Sequence, residues 1–354
     1  MKRFSQYFGL ATVCMLLTAA VSCCGVYEWP AEDNDKGVYE VYLSFDTELP
    51  KWEHSINRSE SEPLSGSFLD RGIIRHTVEA YPLIGGKPDQ MPAERFSFTE
   101  DLSKREGYDC SFSLQLDPGD YRIFVWSDFI ESEKSAPRYD AEDISKISLS
   151  EGPHTGNSDY LDAFRGWADL HAGRAADGTG AQPVARVQMQ RPLAKYELIA
   201  DDVSDFLTRE ARKLQMQGRT TRNITLNDYK VVITYVGFMP DTYNLLTDRP
   251  VDSATGVSFA SELRETSEGE ASLGFDYIFV KDDAYQSVTV QIGIYEASDG
   301  SQISLSGPIR IPLQRSRHTI VRGSFLLMNS SGGIGIDSDF SGDHNQNVGF
   351  TYTE

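Results

Sequence analysis

CSFSLQLDPGDYRIFVW, residues 110–126, carries the pattern that decides the fold class. In its first half Cys110, Phe112, Leu114 and Leu116 alternate with polar neighbours, and in its second half Tyr121, Ile123 and Val125 continue the same habit. A period of two places successive side chains on opposite faces of a β-strand. Between the halves stands Asp117-Pro118-Gly119-Asp120, with proline fixing φ and glycine free to adopt a positive φ. Two short strands around such a turn predict a hairpin.

The same alternation spreads outward in both directions. VYEVYLSF (38–45) sets Tyr39, Val41, Leu43 and Phe45 against Glu40, Tyr42 and Ser44, and IIRHTVEAYPL (73–83) follows it. Beyond residue 190 come RPLAKYELIA (191–200), YKVVITYVGF (229–238), FDYIFV (275–280), SVTVQIGIYEA (287–297), PIRIPL (308–313) and HTIVRGSFLLM (318–328). DVSDFLTREARKLQM (202–216) differs: Val203, Phe206, Leu207 and Leu214 recur at helical spacing, with Ser204 as a candidate cap. The stretch from Gly152 to Gln190 is rich in glycine and small polar residues around one apolar cluster, AFRGWADL, and reads as a long connection. The expectation is an all-β chain with one short helix, arranged as two β-sandwich domains over 37–187 and 188–354.

The N-terminus carries Lys2 and Arg3, then an apolar run of about 15 residues, too short to span a bilayer permanently. Residues 1–22 read as a secretory signal. Ala20-Val21-Ser22-Cys23 resembles the bacterial lipobox, with Cys23 as the lipidated (palmitate-bearing) residue. An acylated Cys23 would supply enough buried acyl chain to hold the protein on outer-membrane lipid. Residues 23–36, acidic and without periodicity, read as a flexible tether.

The 354-residue chain has 33 basic and 53 acidic residues, a formal charge of −20. Such a surface argues against a nucleic-acid partner, which needs basic groups for phosphate. Only four cysteines occur; Cys14 leaves with the signal, and Cys24 and Cys110 remain as one candidate disulfide. Stability must come from ordinary apolar cores.

The order of these segments resembles the fimbrillin superfamily of Bacteroidales, lipoproteins with two tandem transthyretin-like, Greek-key β-sandwich domains that form or anchor type V pili. The N-terminal half resembles the fimbrial anchor and minor-fimbrium branch through Pro118, Gly119, Tyr121, Val125 and Trp126. The C-terminal half resembles an uncharacterised Bacteroidales lipoprotein family of the same type, through Arg191-Pro192-x-Ala194-Lys195 and the later Pro312-Leu313-x-Arg315-x-x-x-Thr319. The resemblance implies a cell-surface protein of the outer membrane that meets fimbrial subunits by strand exchange. It also implies that a structural subunit is trimmed after an arginine, for which Arg58 and Arg71 are the candidates, whereas an anchor keeps its lipid.

Side-chain chemistry offers less. Asp337, Asp339, Ser341, Gly342, Asp343 and Asn345 follow the oxygen-ligand spacing of a calcium loop, but Val348 stands where glutamate belongs and a β-turn fits the same letters. The six histidines are scattered without zinc-ligand spacing, so no metal site and no cofactor are expected. No nucleophile elbow, phosphate-binding loop or dinucleotide fingerprint occurs, and no enzyme activity is expected. Trp52 and Trp167 are candidate sugar-stacking residues, and the alternative function is that of a glycan-binding lipoprotein beside an outer-membrane polysaccharide importer.

Overall fold

The computed structural model describes residues 36–48, 51–54, 72–104, 110–132, 134–173, 184–218, 223–281 and 285–328, with 51–54 and 104 described in backbone only. In chain order the first half contains β1 (Gly37–Phe45), β2 (Lys51–His54), β3 (Ile73–Ile84), β4 (Lys87–Pro88), β5 (Glu94–Asp101), β6 (Cys110–Leu116), β7 (Gly119–Ile130), β8 (Tyr139–Asp140), β9 (Ile147–Leu149), β10 (Ala163–Ala172) and β11 (Val184–Met189). The second half contains β12 (Leu193–Ala200), helix α1 (Val203–Met216), β13 (Tyr229–Tyr235), β14 (Phe238–Asn244), β15 (Arg249–Thr255), β16 (Ser258–Glu262), β17 (Arg264–Ser267), β18 (Glu270–Phe279), β19 (Gln286–Glu296), β20 (Gln302–Leu305), β21 (Ile309–Leu313) and β22 (His318–Gly323). Among the described residues the chain is all-β with one α-helix, built from stacked sheets.

In the first half a three-stranded sheet, β11-β1-β6, faces a larger one in which β10, β7, β3 and β5 lie side by side. Tyr39, Val41 and Leu43 of β1, Leu114 and Leu116 of β6, and Ala185, Val187 and Met189 of β11 meet Ile74, Val78, Tyr121, Ile123, Val125 and Phe164 across a continuous core. In the second half β17-β18-β12-β22-β2 faces a sheet built on β13 and β19, and α1 turns Val203 and Phe206 into that core. The residue at the start of α1 is Asp202, so Ser204, expected as the cap, lies inside the first turn.

The opening stretch folds differently from the hairpin that its letters predict. β6 pairs with β1, and β7 pairs with β3 and β10, so the two strands belong to opposite sheets. Asp117 and Pro118 make a crossover between layers, and Gly119 already starts β7 opposite Ala172 without a positive φ. In a hairpin and in such an arch the same residues point inward, so alternation does not separate them.

The stretch 152–190 is also more than a connection. β10 pairs along its whole length with β7, and β11 runs parallel to β1. Gly166 lets the two approach: a Cβ there would lie 2.5 Å from the Gln188 carbonyl oxygen. Reciprocal backbone bonds between Arg165 and Gln190, at 2.8 and 2.9 Å, close the sandwich on this side.

A third apolar cluster joins the halves. Phe124 and Trp126 on the outer face of β7 pack with Tyr139, Ile144 and Ile147 of the first half and with Leu193, Tyr243, Tyr277 and Phe279 of the second. β7 is therefore buried on both faces over most of its length. The pairing of sheets crosses the midpoint too: β9 pairs with β14, and β2 runs parallel to β22.

Candidate assembly site: the first strands and the junction that holds them

β1 is the middle strand of its sheet, antiparallel to β6 and parallel to β11, with Leu43 opposite both Cys110 and Val187. Its inward side chains Tyr39, Val41 and Leu43 are buried, and the Tyr39 hydroxyl donates to the Gly173 carbonyl at 2.7 Å. Burial of each such side chain is worth about 1.5–3 kcal/mol. β1 thus carries a large share of the apolar burial in this core. Its outward face exposes Val38 and Tyr42 beside Val184 of β11, with the Arg186 guanidinium 5.4 Å from the Tyr42 ring.

After β1 the chain crosses to the second half, where β2 forms the edge beyond β22, with Trp52 opposite Thr319. Arg191 grips the link. Its NH1 donates to the carbonyls of Asp46 and Glu48 at 3.2 and 2.9 Å, its NH2 to that of Thr47 at 3.2 Å, and its Nε to the buried Asp162 carboxylate at 2.8 and 3.0 Å. The guanidinium also stands 4.5 Å over the Phe164 ring. Planar, five-donor geometry suits arginine to this many acceptors at once.

The other residues of the C-terminal motifs sit at the same junction. Lys195 Nζ reaches Asp159 at 2.9 Å and lies 4.0 Å over the Phe275 ring. Arg315 donates to Asp248 and to the carbonyls of Asp248 and Val280, while Arg165 of β10 and the Tyr243 hydroxyl donate to the same Asp248 carboxylate. Burial pushes the Asp248 carboxyl up, but Arg165, Tyr243 and Arg315 outweigh that and hold it below its ordinary value. Across the third cluster Asp128 is enclosed; Arg75 and Trp126 donate to it, yet burial dominates and raises its carboxyl.

A second clamp comes from the loop after β9. His154 Nε2 lies 2.6 Å from the buried Asp276 carboxylate, which also accepts from the Tyr235 hydroxyl at 2.7 Å. Burial alone lowers the imidazole, but Asp276 overcomes it and raises His154 above 6.5. Gly156 follows, where a Cβ would lie 2.5 Å from the Phe259 ring.

Of the residues singled out in the sequence, Cys23, Arg58, Arg71, Asp337, Asp339, Ser341, Asp343 and Asn345 lie outside the described residues. Trp52 and Trp167 stand on different sheets; Trp167 is 38 % exposed, with the Arg165 guanidinium 5.0 Å over its ring. The scattered histidines concealed a group that the fold brings together, His76 with Glu100 and Cys110. Their separation along the chain has no metal-motif spacing, so only strand register could reveal them.

A family model described as a family of unknown function, DUF6562, matches residues 34–353. No curated protein matches the chain. Among solved structures it is similar to the fimbrial anchor protein Mfa2 from Porphyromonas gingivalis, at 13% identity over 76% of this chain and 82% of that one, with a TM-score of 0.38. It is also similar to a fimbrial assembly protein from Parabacteroides distasonis ATCC 8503, at 11% identity over 84% and 93% of the two chains, with a TM-score of 0.35.

Proposed function

The chain belongs to the DUF6562 family of unknown function, and from that premise we propose that it is a lipid-anchored cell-surface structural protein of the fimbrial type, an anchor or a subunit that joins its partners by β-strand complementation. The observation that carries this reading is the position of β1 and β2. β1 separates β6 from β11, and β2 covers the edge of β22. Arg58 and Arg71 both follow β2 in the chain, so cleavage after either would release the two strands together. It would open a slot lined by Leu114, Leu116, Ala185 and Val187 and would bare the β22 backbone. Unpaired strand edges beside an apolar groove take up a strand from another chain. Retention of acylated Cys23 would instead leave β1 in place and make the protein an anchor at the outer membrane.

Intact mass and N-terminal sequencing of the protein from its native outer membrane test the reading. A chain beginning at acylated Cys23 is the anchor form; one beginning at Ser59 or Gly72 is a processed subunit. A mature form with neither start, found outside the envelope, would overturn it. A second reading, glycan binding, rests on the exposed Trp167 beside Arg165. Retention on a polysaccharide column that Trp167→Ala abolishes would support it.

A further inference from the structure

Three donor groups from three strands converge beside the C-terminal end of β1. His76 on β3 and Cys110 at the start of β6 are 0 % and 3 % exposed, and Glu100 on β5 is partly buried. Strand register produces the meeting: His76 pairs with Phe98, Glu100 lies two residues further along β5, and Cys110 enters from the opposite sheet opposite Leu43. The His76 Nε2, Glu100 carboxylate and Cys110 Sγ atoms all lie within 4.8 Å of one another. Nε2 is 3.9 Å from Sγ and 3.8 Å from Oε2.

We propose that His76, Glu100 and Cys110 form a binding site for a borderline-soft divalent cation, zinc(II) foremost. Ligands at ordinary zinc bond lengths, about 2.0–2.3 Å, stand roughly 3.4–3.6 Å apart around a tetrahedral ion. The donors need to close by a few tenths of an ångström on the two measured sides, and the third, from Sγ to the carboxylate, lies within 4.8 Å and closes with them as the side chains turn inward. Both contacts converge on one ring nitrogen: His76 Nε2 makes a long ion-pair contact to Glu100 at 3.8 Å and a weak contact to the Cys110 sulfur at 3.9 Å.

The chemistry of the set points the same way. Imidazole with thiolate and carboxylate favours zinc over magnesium or calcium, which take oxygen ligands. One thiolate and one carboxylate balance a divalent charge, so the loaded site is neutral, as a buried site requires. Binding releases the thiol proton of Cys110 to solvent, because the thiolate is the ligand. His76 Nδ1 lies 2.7 Å from the Ser127 hydroxyl oxygen; the tautomer that donates there turns the Nε2 lone pair toward the other two ligands. The Phe98 ring, 4.8 Å from the imidazole, and Phe45, 6.1 Å away, hold it and shield the site. Three protein ligands leave a fourth position for water. A bound ion would tie both sheets of the first sandwich at one end.

The test uses the mature chain, stripped with chelator and titrated with cobalt(II) and then zinc(II). Expected is one cobalt per chain with thiolate-to-cobalt charge-transfer absorption, retained in Cys24→Ser and lost in Cys110→Ser and His76→Ala. Ser127→Ala should weaken binding roughly ten- to a hundredfold. Zinc should displace the cobalt and raise the Tm of the parent chain but not of Cys110→Ser. The charge-transfer band needs sulfur, so oxygen-only binding at 337–345 cannot imitate it. Zinc-edge X-ray absorption on the unmutated chain needs no variant: one sulfur at about 2.3 Å beside nitrogen and oxygen at about 2.0–2.2 Å is expected. An oxygen-only shell, or a cobalt band unchanged in Cys110→Ser, would overturn the site.

Discussion

At position 191 one guanidinium satisfies a buried carboxylate and three main-chain carbonyls from a segment more than 140 residues away. Removing it strands Asp162 without its counter-ion. Arg191→Ala should therefore cost about 3–5 kcal/mol, read from urea unfolding, and should loosen 46–48 in amide hydrogen exchange. His154 and Asp202 each contribute a pH dependence to stability. Protonated His154 is favoured by folding, so its contribution is complete below pH 6.5 and fades as pH rises through the higher folded value. The His154→Phe variant should lose that dependence in denaturant melts taken upward from pH 6.5. Burial raises the Asp202 carboxyl from 3.8 to about 6 although the N–H groups of Leu326 and Leu327 donate to it. Through this group stability should grow as pH falls from about 6 to 3.8 and level off below, a trend absent from Asp202→Asn.

At the scale of elements, several strands with one buried face were legible, although β11 and β16 alternate as cleanly and were not expected. β1, β3, β6 and β19 fall within a residue of the expected spans, whereas β13 ends at Tyr235, three residues before its expected end; in β1 and β6 the alternation is set by a core on one side. β10 was hidden by Gly166 and by its small residues Ala163, Ala168 and Ala172, and β2, β5, β14 and β15 lack a clean apolar face. Gly166→Ala should lower the Tm by several degrees, since its Cβ meets a backbone carbonyl that cannot rotate away. β1 offers the sharper test. A chain beginning at residue 59 should not hold its first sandwich, and a peptide of residues 37–46 added in trans should restore it, measured by near-ultraviolet circular dichroism and co-elution. A truncated chain that folds fully without the peptide would refute strand complementation.

Across the whole molecule, the third apolar cluster and the crossings of β2 and β9 bind the halves together. Trp126, fully buried in that cluster, is the residue through which a change should be felt in both halves. Trp126→Ala should cost about 3–5 kcal/mol and split one calorimetric transition into two.

By itself the sequence determined the all-β class, the amphipathic helix at 203–216, the acidic composition and the inward faces of the principal strands. Each of these depends on local periodicity or on composition, and neither needs a partner to be read. Only the tertiary structure decided that residues 110–126 arch between sheets, that the motif residues Arg191, Lys195 and Arg315 clamp the junction, and that His76, Glu100 and Cys110 meet. These follow from which strand lies beside which. Alternation fixes the face a side chain takes but leaves its neighbour strand unspecified, and that choice is made by long-range packing.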